Sequence, residues 1–249
     1  MSDARQAILA RMRHALGREM SDAVNGSHSD AHRTVAERLA DPKPTLVPAR
    51  ANLALEARID LFTAQAKAVQ ANVLRVKSYA ELPDVIADYL RGQNLPLNLV
   101  TASDERLDKQ AWDEGLWEIR SGRPTAEDPI GLTTAVAGIA ETGTLMLASD
   151  ANHPMTLAFL PETSIITLEC ADVHRAYEDA FKQFREIQAL PRSVNLITGP
   201  SRSGDIEQTL QLGAHGPKRL LVILIDQADH HKIDQATASA TQETLDAKG

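Results

Sequence analysis

The chain predicts an α/β fold: an open, mainly parallel sheet flanked by helices, with an amino-terminal helical extension. Three observations carry that expectation. Helix and strand patterns alternate between residues 51 and 100. The closing run from Leu220 to Ile225 is apolar at every position, as a parallel strand buried on both faces must be. Glycine is absent between Gly26 and Gly92, whereas seven of the 13 glycines fall between Gly131 and Gly216 and separate short apolar runs there. With 249 residues and 43% apolar side chains, the chain is long enough to enclose one large core.

In order along the chain, residues 3–16 place Leu9, Met12 and Leu16 on one helical face, with Ser2 before them and Gly17 after. A second brief helix is expected from Ala31 to Leu39, and Pro42, Pro44 and Pro48 then impose an extended connection. Residues 51–70 read as a helix and Val73–Val76 as a strand. Leu82, Val85, Ile86, Tyr89 and Leu90 form a helical stripe, and Leu97, Leu99 and Val100 supply another strand. Further strands are expected near 132–137, 143–148, 163–168, 194–198 and 219–226, with helices near 172–188 and 204–212. Residues 1–50 therefore read as a helical extension and linker, 51–226 as the α/β domain, and 227–249 as a polar tail with too few apolar residues to order itself.

Composition excludes several classes of function. The 34 acidic residues outnumber the 26 basic ones, giving a net charge of -8, which argues against a nucleic-acid partner. No stretch is apolar for long enough to span a membrane, and the charged first 20 residues are not built like a secretion signal, so a cytoplasmic protein is expected. Cys170 is the only cysteine, which excludes an internal disulfide and any metal centre needing several thiolates from this chain.

Two segments hold the candidate chemistry. In GIAETGTLMLAS, residues 138–149, Glu141 sits in a turn of small residues that feeds an apolar strand. Gly138 and Gly143 admit a ligand or another backbone, and Thr142 and Thr144 offer hydroxyls. A carboxylate there serves as base, nucleophile or hydrogen-bond acceptor, or else as a solvated turn residue on a hairpin. In NLITGPSRSGDIEQTLQLGAHGP, residues 195–217, a strand ends near Thr198, turns at Gly199 and enters an expected helix near Gly204. Ser201, Arg202, Ser203 and that helix N-terminus would hold a phosphate or carboxylate. The competing reading makes Ser203 an ordinary cap, with Arg202 paired to Asp205. His215 and His153 lie on loops, where either acts as acid or base or is structural, and Cys170 reads as a small buried residue.

Taken together, these two segments, the closing LLVILID and the opening ILARMRHALGR resemble the LUD-domain, lactate-utilization protein C family. The resemblance implies a fold similar to the NagB, ribose-5-phosphate isomerase and coenzyme A transferase group. It also implies a part in bacterial oxidation of L-lactate to pyruvate, with iron-sulfur clusters on partner subunits and no cofactor on this chain. Carried onto this sequence, Glu141, Thr142, Gly143, Thr144, Ser201, Arg202 and Asp205 become the site for a small anionic ligand. Two other readings stay open: a stand-alone transferase-like or isomerase-like enzyme using Glu141, and a non-catalytic scaffold.

Overall fold

The computed structural model describes residues 2–15, 35, 37–38, 46–108, 110, 112, 115–185, 191–204 and 210–226. The chain forms two compact units, Met1–Leu46 and Val47–Gly249. In the first, helix α1 (Ser2–Ala15) presents Ile8, Leu9 and Met12 exposed. The second helix expected over 31–39 lies outside the described residues save for helical positions 35, 37 and 38, and the polar tail lies wholly outside them.

The second unit is built on six parallel strands in the order β1-β12-β7-β4-β2-β3. They are β1 (Asn72–Val76), β2 (Asn98–Thr101), β3 (Glu118–Ser121), β4 (Ile130–Thr134), β7 (Thr163–Glu169) and β12 (Arg219–Ile225). Strand β12 is inside the sheet, as its unbroken apolar run requires. Leu221, Ile223 and Ile225 face one core, while Leu220, Val222 and Leu224 face the other. Helix α3 (Leu82–Gly92) closes the first face through Leu82, Ile86 and Leu90, a stripe at helical spacing. Its approach is fixed by a capping box, in which Glu81 Oε1 accepts from the backbone N–H of Ser78 at 3.2 Å. The short helix α4 (Glu105–Asp108) follows β2 on the way to β3.

The other face is covered by helix α2 (Leu55–Ala68) and by a second, four-stranded sheet in the order β8-β5-β6-β9. Its strands are β5 (Ala137–Ile139), β6 (Thr144–Ala148), β8 (Val173–His174) and β9 (Val194–Ile197). The β5–β6 and β6–β9 pairs are antiparallel and β5–β8 is parallel. Leu145 and Leu147 turn inward with Phe62 of α2, and Met146 turns outward to helix α5 (Tyr177–Arg185) through Ala180. Cys170 is buried, its thiol donating to Asp226 at 3.4 Å. Among the described residues, no helix is long and apolar enough to cross a membrane.

Three expectations change. The strand expected over 132–137 divides at Ala135–Val136, because the chain leaves one sheet there and enters the other. The helix expected from 172 starts at Tyr177, since Val173 and His174 pair with Gly138 and Ile139 in β8. The helix expected over 204–212 is replaced, at its described ends, by the antiparallel pair β10 (Arg202–Gly204) and β11 (Leu210–Leu212). Leu210 and Leu212 flank Gln211 with the period of two that a strand requires, and Gly213 turns the chain with φ +76°.

Gly143 and Gly199, one in each candidate segment, serve α2. Gly143 has φ +67°, and a Cβ there would collide with the backbone at Ala66 and Gln65; Gly199 has φ +77° and lies against the Val69 carbonyl. Gly138 faces the side chains of Leu168 and Phe62 instead. Urea melts should therefore rank the two alanine substitutions. Gly143→Ala loses about 2–4 kcal/mol from φ strain and overpacking, and Gly138→Ala loses less, about 1–2 kcal/mol, because side chains yield more readily than backbone. Equal losses would mean that the helix contact is looser than the geometry indicates.

Candidate functional site

The β5–β6 hairpin closes through a four-residue loop, residues 140–143, which lifts Glu141 out of the ladder and beside β8. The backbone N–H of Ala140 donates to the His174 carbonyl at 2.9 Å and that of Glu141 to the Arg175 carbonyl at 3.1 Å. The carboxylate is therefore held by its own backbone and not by a flexible turn. Its side chain is 10% exposed and accepts from Arg50 Nη2 at 2.8 Å, whereas the arginine is 61% exposed. This is a one-sided ion pair, with an anchored anion and a cation whose head remains in solvent. Arg50 reaches it from a 3-10 turn at Ala49–Ala51, pinned by the buried Ala51.

Beside this pair lies a cluster of hydroxyls. Thr144 Oγ1 is 2.7 Å from Thr142 Oγ1, 3.1 Å from the Tyr177 hydroxyl and 2.6 Å from Thr198 Oγ1; Thr142 Oγ1 is also 3.1 Å from Tyr177. The Thr144–Thr198 contact joins the two candidate segments, because the β6–β9 ladder sets Leu145 opposite Ile197, one residue from each threonine. Each hydroxyl has one proton and two lone pairs, so four mutual contacts leave acceptor capacity over and a network that can reorient toward a ligand.

The remaining candidates do not join this group. The N–H of Ser201 donates to the Pro217 carbonyl at 2.9 Å, its carbonyl accepts from Gly213 at 3.0 Å, and its Oγ accepts from the His215 N–H at 3.3 Å. Ser201 thus ties down the loop before β12. Arg202 is exposed on β10, and His215 is exposed on its loop. Gly204 lies on β10, and Asp205 and the side chain of Ser203, the rest of the expected anion cradle, lie outside the described residues.

A second polar cluster, absent from the sequence reading except for His153, occupies the carboxyl edge of the main sheet. Beyond β2 the chain runs outward to β3 and beyond β4 it runs inward to β7, and crevices of open α/β sheets form where such directions part. Arg106 grips Asp104 with Nη2 at 2.7 Å and Glu169 with Nη1 at 3.0 Å, and Tyr79 donates to the same Glu169 oxygen at 3.0 Å. His153 bridges Asp104 through Nε2 at 3.0 Å and Asp150 through Nδ1 at 2.9 Å. Burial opposes the charge on His153, but hydrogen bonds to Asp104 and Asp150 outweigh it and raise its pKa to about 9. Burial likewise opposes ionisation of Asp104, yet His153 and Arg106 hold it well below the usual carboxylate range. Both Asp104 oxygens are taken by protein donors, so the cluster is a clasp between loops and not an open receptacle. Among the described residues, no group of three or more His, Cys, Asp or Glu side chains has metal-binding geometry.

A model of the LUD domain matches residues 59–225. The chain belongs to the LUD-domain family. A Macrococcus caseolyticus relative named Lactate utilization protein C is 29% identical over 153 residues, covering 58% of this chain and 66% of that protein, just under two thirds. One of the same name from Anoxybacillus flavithermus is 29% identical over 178 residues, covering 67% of this chain and 80% of its own. The Escherichia coli protein YkgG is 28% identical over 66% of this chain and 72% of its own. A crystal structure of a DUF162 family protein from Deinococcus radiodurans shares the fold, with a TM-score of 0.53 at 20% identity over 70% of this chain and 99% of that one.

The clasp generates two expectations. The His153 contribution is complete below its unfolded pKa of about 6.5 and is lost as pH rises through about 9; the Asp104 contribution is present above about 3.9 and lost as pH falls. Thermal melts should therefore show greatest stability between about pH 4 and 6.5, and His153→Gln should flatten the alkaline limb. An unchanged alkaline limb would place the titration elsewhere. Arg106→Ala removes the cation shared by two buried carboxylates and should lose about 3–5 kcal/mol, part of it recovered by adding Glu169→Gln, because Asp104 keeps His153.

Proposed function

We propose that the chain serves lactate utilization as a cluster-free subunit, binding a small anionic ligand at the Glu141 turn while partner subunits carry iron-sulfur clusters. The observation that carries this reading is the junction of the two family-like segments at Thr144 and Thr198, 2.6 Å apart, beside a buried carboxylate paired with an exposed arginine. The names of the relatives supply the metabolic setting. The single cysteine, buried and bound to Asp226, supports the assignment of clusters to partners.

The chemistry follows from the pair. A ligand carboxylate competes for the solvent-facing Arg50 head, while Glu141, fixed by its backbone, accepts from a ligand hydroxyl. The Thr142, Thr198 and Tyr177 hydroxyls, gathered around the buried Thr144, give the ligand's polar groups a wall that donates or accepts as needed. Glu141→Gln keeps the shape and removes the charge, which isolates the electrostatic role.

Complementation tests the assignment. In a host deleted for this gene, the wild-type chain should restore growth on L-lactate and leave growth on glucose unchanged; Glu141→Gln should fail on lactate at normal protein levels. A deletion strain that grows normally on lactate removes the metabolic role. Full restoration by Glu141→Gln removes the site and leaves the scaffold reading.

A further inference from the structure

His174 on β8, whose carbonyl accepts from the Ala140 N–H, and Arg58 on α2 supply two of the six buried side-chain polar atoms that have no hydrogen-bond partner among the described residues, His174 Nε2 and Arg58 Nε. The two elements pack against each other. Folded proteins seldom leave such atoms unmatched, and these two are close enough that the charge of Arg58 acts on the His174 imidazole. The neighbouring groups are already engaged. Arg175 closes on Asp179 through Nε at 2.6 Å and Nη2 at 2.8 Å and donates to Asn52 at 3.2 Å, while Arg50 holds Glu141. Three guanidiniums therefore serve two carboxylates, and Arg58 is the one without an ion pair among the described residues.

We propose that Arg58 and His174 form an anion subsite beside Glu141, where one oxygen of a small carboxylate or phosphate accepts from both Arg58 Nε–H and His174 Nε2–H. The inference rests on reading the Glu141 turn as a ligand site, and it adds the group that compensates the ligand's charge. The burial of both nitrogens limits the occupant to a small molecule, since a peptide or lipid surface would not bring an oxygen to them. Burial lowers the pKa of His174, the charge of Asp179 opposes this and that of Arg58 adds to it, so the imidazole is neutral at pH 7 without ligand. An anion in contact favours the protonated imidazole and raises that pKa.

Histidine-selective NMR of the full chain provides the test, with separate titrations of sodium L-lactate, sodium pyruvate, inorganic phosphate and, for ionic strength, sodium chloride. The His174 signal should move saturably with at least one oxyanion and not with chloride, and its titration midpoint should rise. Arg58→Gln should weaken the response about tenfold or more, whereas Lys67→Gln, an exposed position on the same helix, should leave it unchanged. Arg58→Lys keeps the charge without the fork and should fall between them. Response to lactate or pyruvate alone identifies a carboxylate subsite, and response to phosphate alone a phosphate subsite. Silence toward all three, or an unaltered response in Arg58→Gln, overturns the proposal and leaves a buried water as the shared partner. A responsive His174 with normal growth of the deletion strain on lactate would sustain the subsite and remove the lactate reading; a silent His174 with a deletion strain that fails on lactate would remove the subsite alone.

Discussion

The second unit depends on how closely the end of α2 approaches two turns. Gly143 and Gly199 come from separate hairpin and strand ends, yet both adopt positive φ and both press on the last turn of the same helix. That contact holds the four-stranded sheet against one face of the six-stranded sheet, with Phe62 between them. It also sets the position of Glu141, two residues before Gly143, and of Thr198, immediately before Gly199. Backbone-to-backbone packing leaves no room for a side chain, so the polar site inherits its precision from a steric requirement.

The two polar clusters differ in how completely they are satisfied, and this separates their roles. Around Asp104 every charge meets an opposite one within a largely buried network, which favours a single arrangement of the loops beyond β2 and β6. Around Glu141 the ion pair is open on one side, and Arg58 and His174 each carry a buried nitrogen without a partner. That contrast is what the proposed ligand site needs, a fixed scaffold beside groups with bonding capacity to spare.

Much of the main sheet was legible because its signals are local. The stripe of α3 and the double-faced run of β12 require no knowledge of the rest of the chain. The Glu141 turn was legible for a similar reason, since a lone carboxylate among small residues stands out. The helix expected at 204 failed because a glycine-bounded stretch with Leu210 and Leu212 supports either period, and pairing with β10 decided it. Arg50, Tyr177 and Thr198 were missed because nothing local marks them; each joins the site only through contacts far along the chain. Asp104 and Arg106 carried a weak signal, a charged pair just past a parallel strand, whose meaning required Glu169 and His153 to be brought beside it.

The burial of Cys170 has a practical side. Burial first, and then its bond to Asp226, push its pKa up to about 12, so hardly any thiolate exists at neutral pH to react with alkylating reagents or oxidants. The native chain is in effect thiol-silent. A cysteine introduced on the exposed surface would take up a maleimide fluorophore or spin label at that position alone, with no need to remove the natural residue first.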